Sequence, residues 1–174
     1  IMQQTGCITN GWLRDYAILI DQGLIRAVDN FQQLREKHPQ IETTFLDNHI
    51  LLPGLINCHS HSGMSLLRGY DDDNALQAWL NQSIWPLEAS WLSDEFVTAG
   101  SELAIAEMLL AGTTTFSDMY FFPTATAQVA QRAGIRAQIN FPVFERANNW
   151  ASDADQHIAL GLNALDQYRQ NDRI

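Results

Sequence analysis

An α/β chain with a parallel sheet, preceded by a small β region, is the fold class that this sequence of 174 residues predicts. Two patterns carry the prediction. From Leu55 onward, short runs rich in β-branched and aromatic residues alternate with longer stretches whose apolar residues recur every three or four positions, as strand and helix do in turn. Before Leu55 the apolar runs are all short, and the first two flank a turn signal. A composition of 46% hydrophobic and 10% aromatic residues is enough to build a core under such a sheet.

Tyr16 to Ile20 and Leu24 to Val28 are separated by Asp21-Gln22-Gly23 and read as a β-hairpin with glycine in its turn. A short helix is expected over Phe31 to Lys37, ending before His38-Pro39 because the residue before proline avoids helical dihedrals. Leu46 to Leu52 is expected to form a further strand. Pro53-Gly54 then marks a sharp entry into a strand that runs from Leu55 to His61. A long insertion follows, with Asp71-Asp72-Asp73 in a solvated loop or helix start and a helix around Leu76 to Ser83. Ser93 is an N-cap candidate, and Asp94 and Glu95 lie in the first turn, where the helix dipole favours anions. Phe96, Ala99, Leu103, Ala106 and Leu110 follow at helical spacing as the expected buried face, with Gly112 suited to the C′ position. Thr113 to Met119 reads as the second strand, Pro123 to Ala133 as a helix closed by Gly134, and Arg136 to Pro142 as the third strand. Ser152, Asp153 and Asp155 start a third helix with Ile158, Leu162 and Leu165 as its apolar stripe. Alternation of this kind implies right-handed crossovers and parallel pairing.

The formal net charge is −10, with 20 acidic against 10 basic residues. Such a surface repels phosphate backbones and anionic lipid, so neither nucleic acid nor a membrane is an expected partner. No apolar run approaches the roughly 20 residues of a spanning helix, and no basic stretch followed by an apolar core opens the chain. Cys7 and Cys58 make no disulfide framework, and a reduced cytoplasmic setting is expected. Cys58 points away from its histidine neighbours and reads as a small core residue. Ile rather than Met at position 1, and a last segment Gln170 to Ile174 that reads as a loop entering a new strand, point to an incomplete chain.

Chemistry concentrates at His59 and His61. Residues i and i+2 of a strand project from the same face, so the two imidazoles can share one ligand. Neutral imidazole is a common ligand of zinc, and two nitrogens about 2 Å from one ion need a rigid backbone beneath them, which a strand supplies. A chance pair on an exposed strand is the alternative for the bare tripeptide. The Pro53-Gly54 entry and Gly63 just beyond the pair favour a strand that ends in a functional loop. The other histidines, His38, His49 and His157, read as solvated side chains.

The segment Pro53-Gly54-Leu55-Ile56-Asn57-Cys58-His59-Ser60-His61 resembles the first-strand metal motif of the amidohydrolase superfamily. Ser65-Leu66-Leu67-Arg68-Gly69, Trp79-Leu80, Ile84-Trp85-Pro86-Leu87-Glu88, the run Glu107 to Thr115 and Asp118-Met119-Tyr120-Phe121 extend the resemblance. Through these the chain is similar to the 5'-methylthioadenosine/S-adenosylhomocysteine deaminases and to their neighbours, the triazine hydrolases. The resemblance implies a distorted (β/α)8 barrel with metal at its C-terminal mouth. Residues 53–174 would supply its first three βα units, making an incomplete TIM-type barrel, and residues 1–52 part of a small β-sandwich. A closed barrel needs eight units and about 250 residues.

The same resemblance implies one divalent metal, zinc or alternatively iron, on His59 and His61, completed by a histidine and an aspartate outside this chain. It implies that Trp79 helps to enclose the substrate and that Glu88 accepts from the ribose hydroxyls, as a carboxylate can from a vicinal diol. Packing of its helix is the competing reading of Trp79, and a solvated acid that of Glu88. Asp118 reads as structural, orienting a loop by hydrogen bonding. Some members of the group carry, just after the third strand, an arginine that reaches the distal end of the substrate. Its place here is Phe141, which suits an apolar methylthio group better than a homocysteine carboxylate, and Arg136 and Arg146 stay unassigned.

The activity so implied is hydrolytic deamination of an adenine nucleoside, namely methylthioadenosine, S-adenosylhomocysteine or adenosine. A metal-activated water would attack C6 of the purine, and an acid/base from beyond the third strand would assist the departure of ammonia. No catalytic residue then lies within the 174 residues, and turnover by this chain alone is not expected. Hydrolysis of a chloro- or amino-triazine is a second reading. A third is a non-catalytic relative acting as a binding module, in which an open half-barrel leaves strand edges and apolar faces for a partner or a second copy, as in a homo-oligomer, to cover.

Overall fold

A computed structural model describes residues 13–174 and divides into two compact units, Ile1–Pro53 and Gly54–Ile174. Cys7 lies outside the described residues. In the first unit, β1 (Tyr16–Asp21) and β2 (Leu24–Asn30) pair antiparallel from Tyr16↔Asn30 to Asp21↔Leu24. Both turn residues have positive φ, 50° at Gln22 and 75° at Gly23, the combination whose twist matches that of the flanking strands. Helix α1 (Phe31–Lys37) starts where the Asn30 side chain accepts from the Gln32 N–H and stops at His38, as expected before proline. Leu46 to Leu52, by contrast, is not a strand. Apolar content alone does not make one: the segment has no ladder partner among the described residues, and a strand exists through its partner's hydrogen bonds.

The second unit is organised on a parallel sheet in the order β3 (Leu55–Ser60), β4 (Thr113–Met119), β5 (Arg136–Asn140). Leu55 pairs with Thr113 and Ser60 with Asp118, while Thr115 to Met119 run beside Arg136 to Asn140. The crossover from β3 to β4 is long. It comprises a 3₁₀ segment (Ser62–Leu67), α2 (Leu76–Trp79), a π-turn (Leu80–Ile84), α3 (Trp85–Trp91) and α4 (Asp94–Leu110). Helix α5 (Pro123–Ala133) joins β4 to β5, and α6 (Ala154–Tyr168) follows. Ser93 caps α4 by accepting from the Phe96 N–H at 3.1 Å, and Gly112 at φ 83° turns the chain into β4, where a β-carbon would be strained. Among the described residues no helix is long and apolar enough to cross a membrane.

Two apolar clusters hold the helices to the sheet. Ile105, Phe116, Val129, Ala130, Ile135 and Ala137 pack α4 and α5 against β4 and β5; Leu92, Val97, Tyr120, Phe121 and Ala125 gather near the C-terminal end of β4. The buried side of α4 is Val97, Gly100, Ser101, Ala104 and Ile105, not the stripe expected from spacing, and Leu110 of that stripe is 89% exposed. Small residues decide the choice. A β-carbon at Gly100 would overlap the Gly63 carbonyl, and Ser101 Oγ lies 3.0 Å from Thr126 Oγ1 on α5, so this face alone approaches its neighbours closely.

Helix α6 is likewise turned from its expected face. Ile158, Leu162 and Leu165 are exposed, while His157 and Gly161 are buried. His157 is not the solvated side chain read from sequence. It is fully buried among the rings of Phe121, Phe144 and Trp150, its Nδ1 donating to the Asp153 carbonyl at 2.7 Å and its Nε2 accepting from Asn148 Nδ2 at 2.8 Å. With both nitrogens satisfied, burial of the ring needs no charge. Cys58 is exposed rather than part of a core, as are Leu55 and Ile56 of the same strand, so the faces of β3 are not covered among the described residues.

Candidate functional site

The C-terminal ends of β3 and β4 bring the sequence-predicted histidines together. β3 ends at Ser60, and at His61 the chain turns into the 3₁₀ segment with φ −130° and ψ 72°. The imidazoles of His59 and His61 converge, Nε2 to Nε2 at 3.2 Å with the rings nearly perpendicular at 82°. His61 Nδ1 donates to the Met119 carbonyl at 2.7 Å. A carbonyl only accepts, so in the neutral ring Nδ1 carries the proton and Nε2 keeps its lone pair.

Two nitrogens on one tetrahedral zinc, each about 2.1 Å from it, lie about 3.4 Å apart. The observed separation therefore fits a shared ion, and the bond to Met119 is the outer support that a metal-binding imidazole ordinarily has. Among the described residues no group of three or more His, Cys, Asp or Glu is placed to hold a metal, so the fit extends to two ligands.

Asp118 is what fixes this end of the sheet. It is 1% exposed, and its Oδ1 accepts from the Ser62 N–H at 2.6 Å, Ser62 Oγ at 2.7 Å and Ser60 Oγ at 2.9 Å. The two serines flank His61, so the carboxylate of β4 sets the path of the loop that carries the histidine. Burial pushes the Asp118 carboxyl above its ordinary value, against the pull of the Ser62 and Ser60 bonds. The structural reading of Asp118 agrees with this geometry, but Ser60 and Ser62 were not singled out by sequence, since nothing local marks a serine as a partner of a residue more than fifty positions away.

Glu88 lies on α3, half-buried, and accepts from Tyr120 Oη at 2.7 Å. Burial pushes its carboxyl up, opposed by the Tyr120 bond and by the charge of Arg146. Burial and the adjacent Glu88 charge together hold the Tyr120 phenol protonated far above neutrality. Glu88 also lines a cavity of about 130 Å³ with Trp85, Leu92, Phe121, Phe144 and Arg146, whose guanidinium lies 4.6 Å from the centre of the Trp85 ring. Trp79, the other predicted substrate contact, is half-buried at the end of α2 and does not line this cavity. Sequence missed Tyr120 as the partner of Glu88; the only signal was its place two residues after Asp118, where a strand-end residue faces the mouth.

A glutamate whose folded pKa is raised binds its proton more tightly folded than unfolded, so stability falls as pH rises through the interval above its ordinary 4.5. Glu88→Gln is expected to flatten the decline of melting temperature over that interval, with Asp118 contributing the remaining slope in the same sense. An undiminished slope in the variant would show that Glu88 does not titrate as its surroundings require.

The description "Amidohydrolase family" fits residues 50–172. A protein of Teredinibacter turnerae named 5-methylthioadenosine/S-adenosylhomocysteine deaminase is 45% identical over 161 residues, which cover 92% of this chain and 36% of that protein. Among solved structures, an adenosine deaminase from Xanthomonas campestris with bound zinc superposes with a TM-score of 0.84 at 37% identity, over 93% of this chain and 37% of that one. The atrazine chlorohydrolase of Arthrobacter aurescens, complexed with zinc, superposes with a TM-score of 0.70 at 23% identity over 92% of this chain and 40% of that one, a likeness of fold alone. The chain thus spans about a third of the length of the curated relative and the deaminase structure it matches. Paired histidines at the end of a first parallel strand, and a family description that covers most of the sequence, make this chain a member of the amidohydrolase family.

Proposed function

We propose that this chain is the N-terminal part of a zinc-dependent deaminase of adenine nucleosides, cytoplasmic, with residues 53–174 forming the first three βα units of a (β/α)8 barrel and residues 1–52 part of its β-sandwich. The convergence of His59 and His61 at 3.2 Å carries the reading. Zinc, or iron in its place, would be held by these two nitrogens and by ligands from the rest of the protein, and when bound it activates water for attack on an amidine carbon. Iron and zinc are both accepted by imidazole, so the donor set favours a transition metal over calcium or magnesium.

This chain's own side chains would bind and position the substrate. Glu88, held by Tyr120, accepts from the two ribose hydroxyls and fixes the nucleoside relative to the histidines. Trp79 covers the substrate. Apolar walls from Leu92, Phe121 and Phe144 exclude water beside Glu88 and suit a methylthio group. The relatives' names support this substrate class: one is called a 5-methylthioadenosine/S-adenosylhomocysteine deaminase and another a 5'-deoxyadenosine deaminase. The 174 residues alone are expected to be inactive, because two zinc ligands fall short of the usual three.

The test is ammonia release by the full-length protein that carries this chain, offered methylthioadenosine, S-adenosylhomocysteine, adenosine and a chloro-triazine. Methylthioadenosine is expected to be the best of the four. Glu88→Ala is expected to reduce kcat/KM on the nucleosides by about 10- to 100-fold, the worth of one or two charge-assisted hydrogen bonds, and to leave any triazine reaction unchanged. Faster turnover of the triazine, insensitive to Glu88, would replace this reading by the triazine hydrolase one.

A further inference from the structure

Trp79 and Glu88 are nine residues apart. In an uninterrupted α-helix nine steps of about 100° would put them about 180° apart, on opposite faces. The helical run from Leu76 to Trp91 is interrupted: over Leu80–Ile84 it widens into a π-turn, and the Trp85 N–H donates to the Leu80 carbonyl five residues back. One residue absorbed in this way makes the nine steps count as about eight, which brings the two positions to about 80° apart, on one side.

The same count aligns one row of the buried side: Leu80, Ile84, Glu88 and Leu92, half-buried or buried at intervals of four, are kept near one line by the absorbed residue, with buried Ser83 and half-buried Trp79, Trp85 and Leu87 beside them.

The cause is local, and it is braced from outside. Pro86 has no N–H to give the Gln82 carbonyl, and its ring would clash with that carbonyl in a regular helix; a wider turn relieves both. Ser83, 8% exposed, donates from the π-turn to Asp71 Oδ2, and Asp71, at φ 59°, accepts on its other oxygen from Asn74 Nδ2 at 2.7 Å. The turn is thereby tied to the insertion loop.

We propose that the π-turn over Leu80–Ile84 is the specificity element of the nucleoside site, turning Trp79 to the side of the helix that carries Glu88, with Ser83 as the positioning residue that holds the turn. The inference rests on the reading of Trp79 and Glu88 as substrate contacts. A ligand with both a flat heterocycle for the indole and a vicinal diol for the carboxylate gains from this arrangement.

The experiment is the dissociation constant of methylthioadenosine for the full-length, metal-stripped protein, measured for wild type, Ser83→Ala, Trp79→Ala, the double variant and Glu88→Ala. Ser83→Ala is expected to weaken binding about fivefold, the worth of one modest hydrogen bond, and by less than about twofold when Trp79 is already alanine, because the two act through one contact. With zinc restored, Ser83→Ala should raise KM and leave kcat nearly unchanged, a split that general loosening of the fold does not produce. A longer intervention, deletion of Gln82 together with Pro86→Ala, restores a regular helix and should weaken binding about 25-fold, the worth of two such bonds. Equal losses from Ser83→Ala in both backgrounds, with Glu88→Ala still damaging, would overturn the inference alone. A Glu88→Ala protein that binds like wild type, or a wild type that does not bind methylthioadenosine, would overturn the nucleoside reading and the inference with it.

Discussion

His61→Ala in the full-length protein is expected to abolish retained zinc and to lower kcat/KM on methylthioadenosine by at least about a thousandfold. A bound metal supplies several kcal/mol of transition-state stabilisation, and each 1.36 kcal/mol is one tenfold step, so about three steps are at stake. The geometry makes His61 the more exacting of the pair. Its Nδ1 is tied to the Met119 carbonyl, its neighbours Ser60 and Ser62 are tied to Asp118, and its Nε2 is thereby aimed at the Nε2 of His59. His59→Ala removes the other nitrogen and should cost nearly as much. The double variant should be little worse than either single one, since residues that act as a unit are not additive. Zinc content measured alongside activity decides the matter: a His61→Ala protein that retains a full equivalent of zinc would remove His61 from the metal site.

Asp118→Ala should produce the largest loss of stability of any single change near the sheet end, about 3 kcal/mol or more in the full-length protein. The substitution strands the Ser62 N–H and Ser62 Oγ, both in a residue only 2% exposed, and frees Ser60 Oγ, whose remaining bond is to the Ser117 carbonyl at 2.9 Å. Each buried donor left without a partner costs about 1–3 kcal/mol. Asp118→Asn keeps an oxygen where all three donors converge and should lose less than half as much. Denaturant unfolding followed through the tryptophans gives both values; an alanine variant within 1 kcal/mol of wild type would mean that water or a rearranged loop replaces the carboxylate. Zinc affinity should fall with stability in this series, because the loop that moves is the one that carries His61.

Most elements of the second unit were legible as local pattern, but the 3₁₀ segment Ser62–Leu67 and helix Trp85–Trp91 were not expected from sequence. A strand over Thr113–Met119 and a helix over Pro123–Ala133 declare themselves through β-branched residues, a first-turn proline and a closing glycine, features complete within a dozen residues. His59 and His61 were legible as a pair by a period of two, although the strand expected to reach His61 stops at Ser60 and the imidazole of His61 is aimed from the turn beyond it. The π-turn was not legible: the helix expected around Leu76 to Ser83 stops short of Pro86, and the turn and its consequence for Trp79 and Glu88 need the actual hydrogen bond from Trp85 to Leu80.

Other features depend on contacts between distant residues. α4 and α6 each carry apolar residues on more than one side, and periodicity cannot rank the sides; the close fit of Gly100 to Gly63, and of Gly161 to the Phe141 ring, does so. His157 looks solvated among polar neighbours in sequence, and is buried because the rings of Phe121, Phe144 and Trp150 close over it while Asn148 and Asp153 satisfy its nitrogens. Tyr120 meets Glu88 across 32 residues, and Ser62 meets Asp118 across 56. Secondary structure follows from interactions a few residues long, so composition and spacing reveal it. Burial and hydrogen-bond partnership are set by which surfaces the folded chain brings together, and these appear only once the sheet and its helices are assembled.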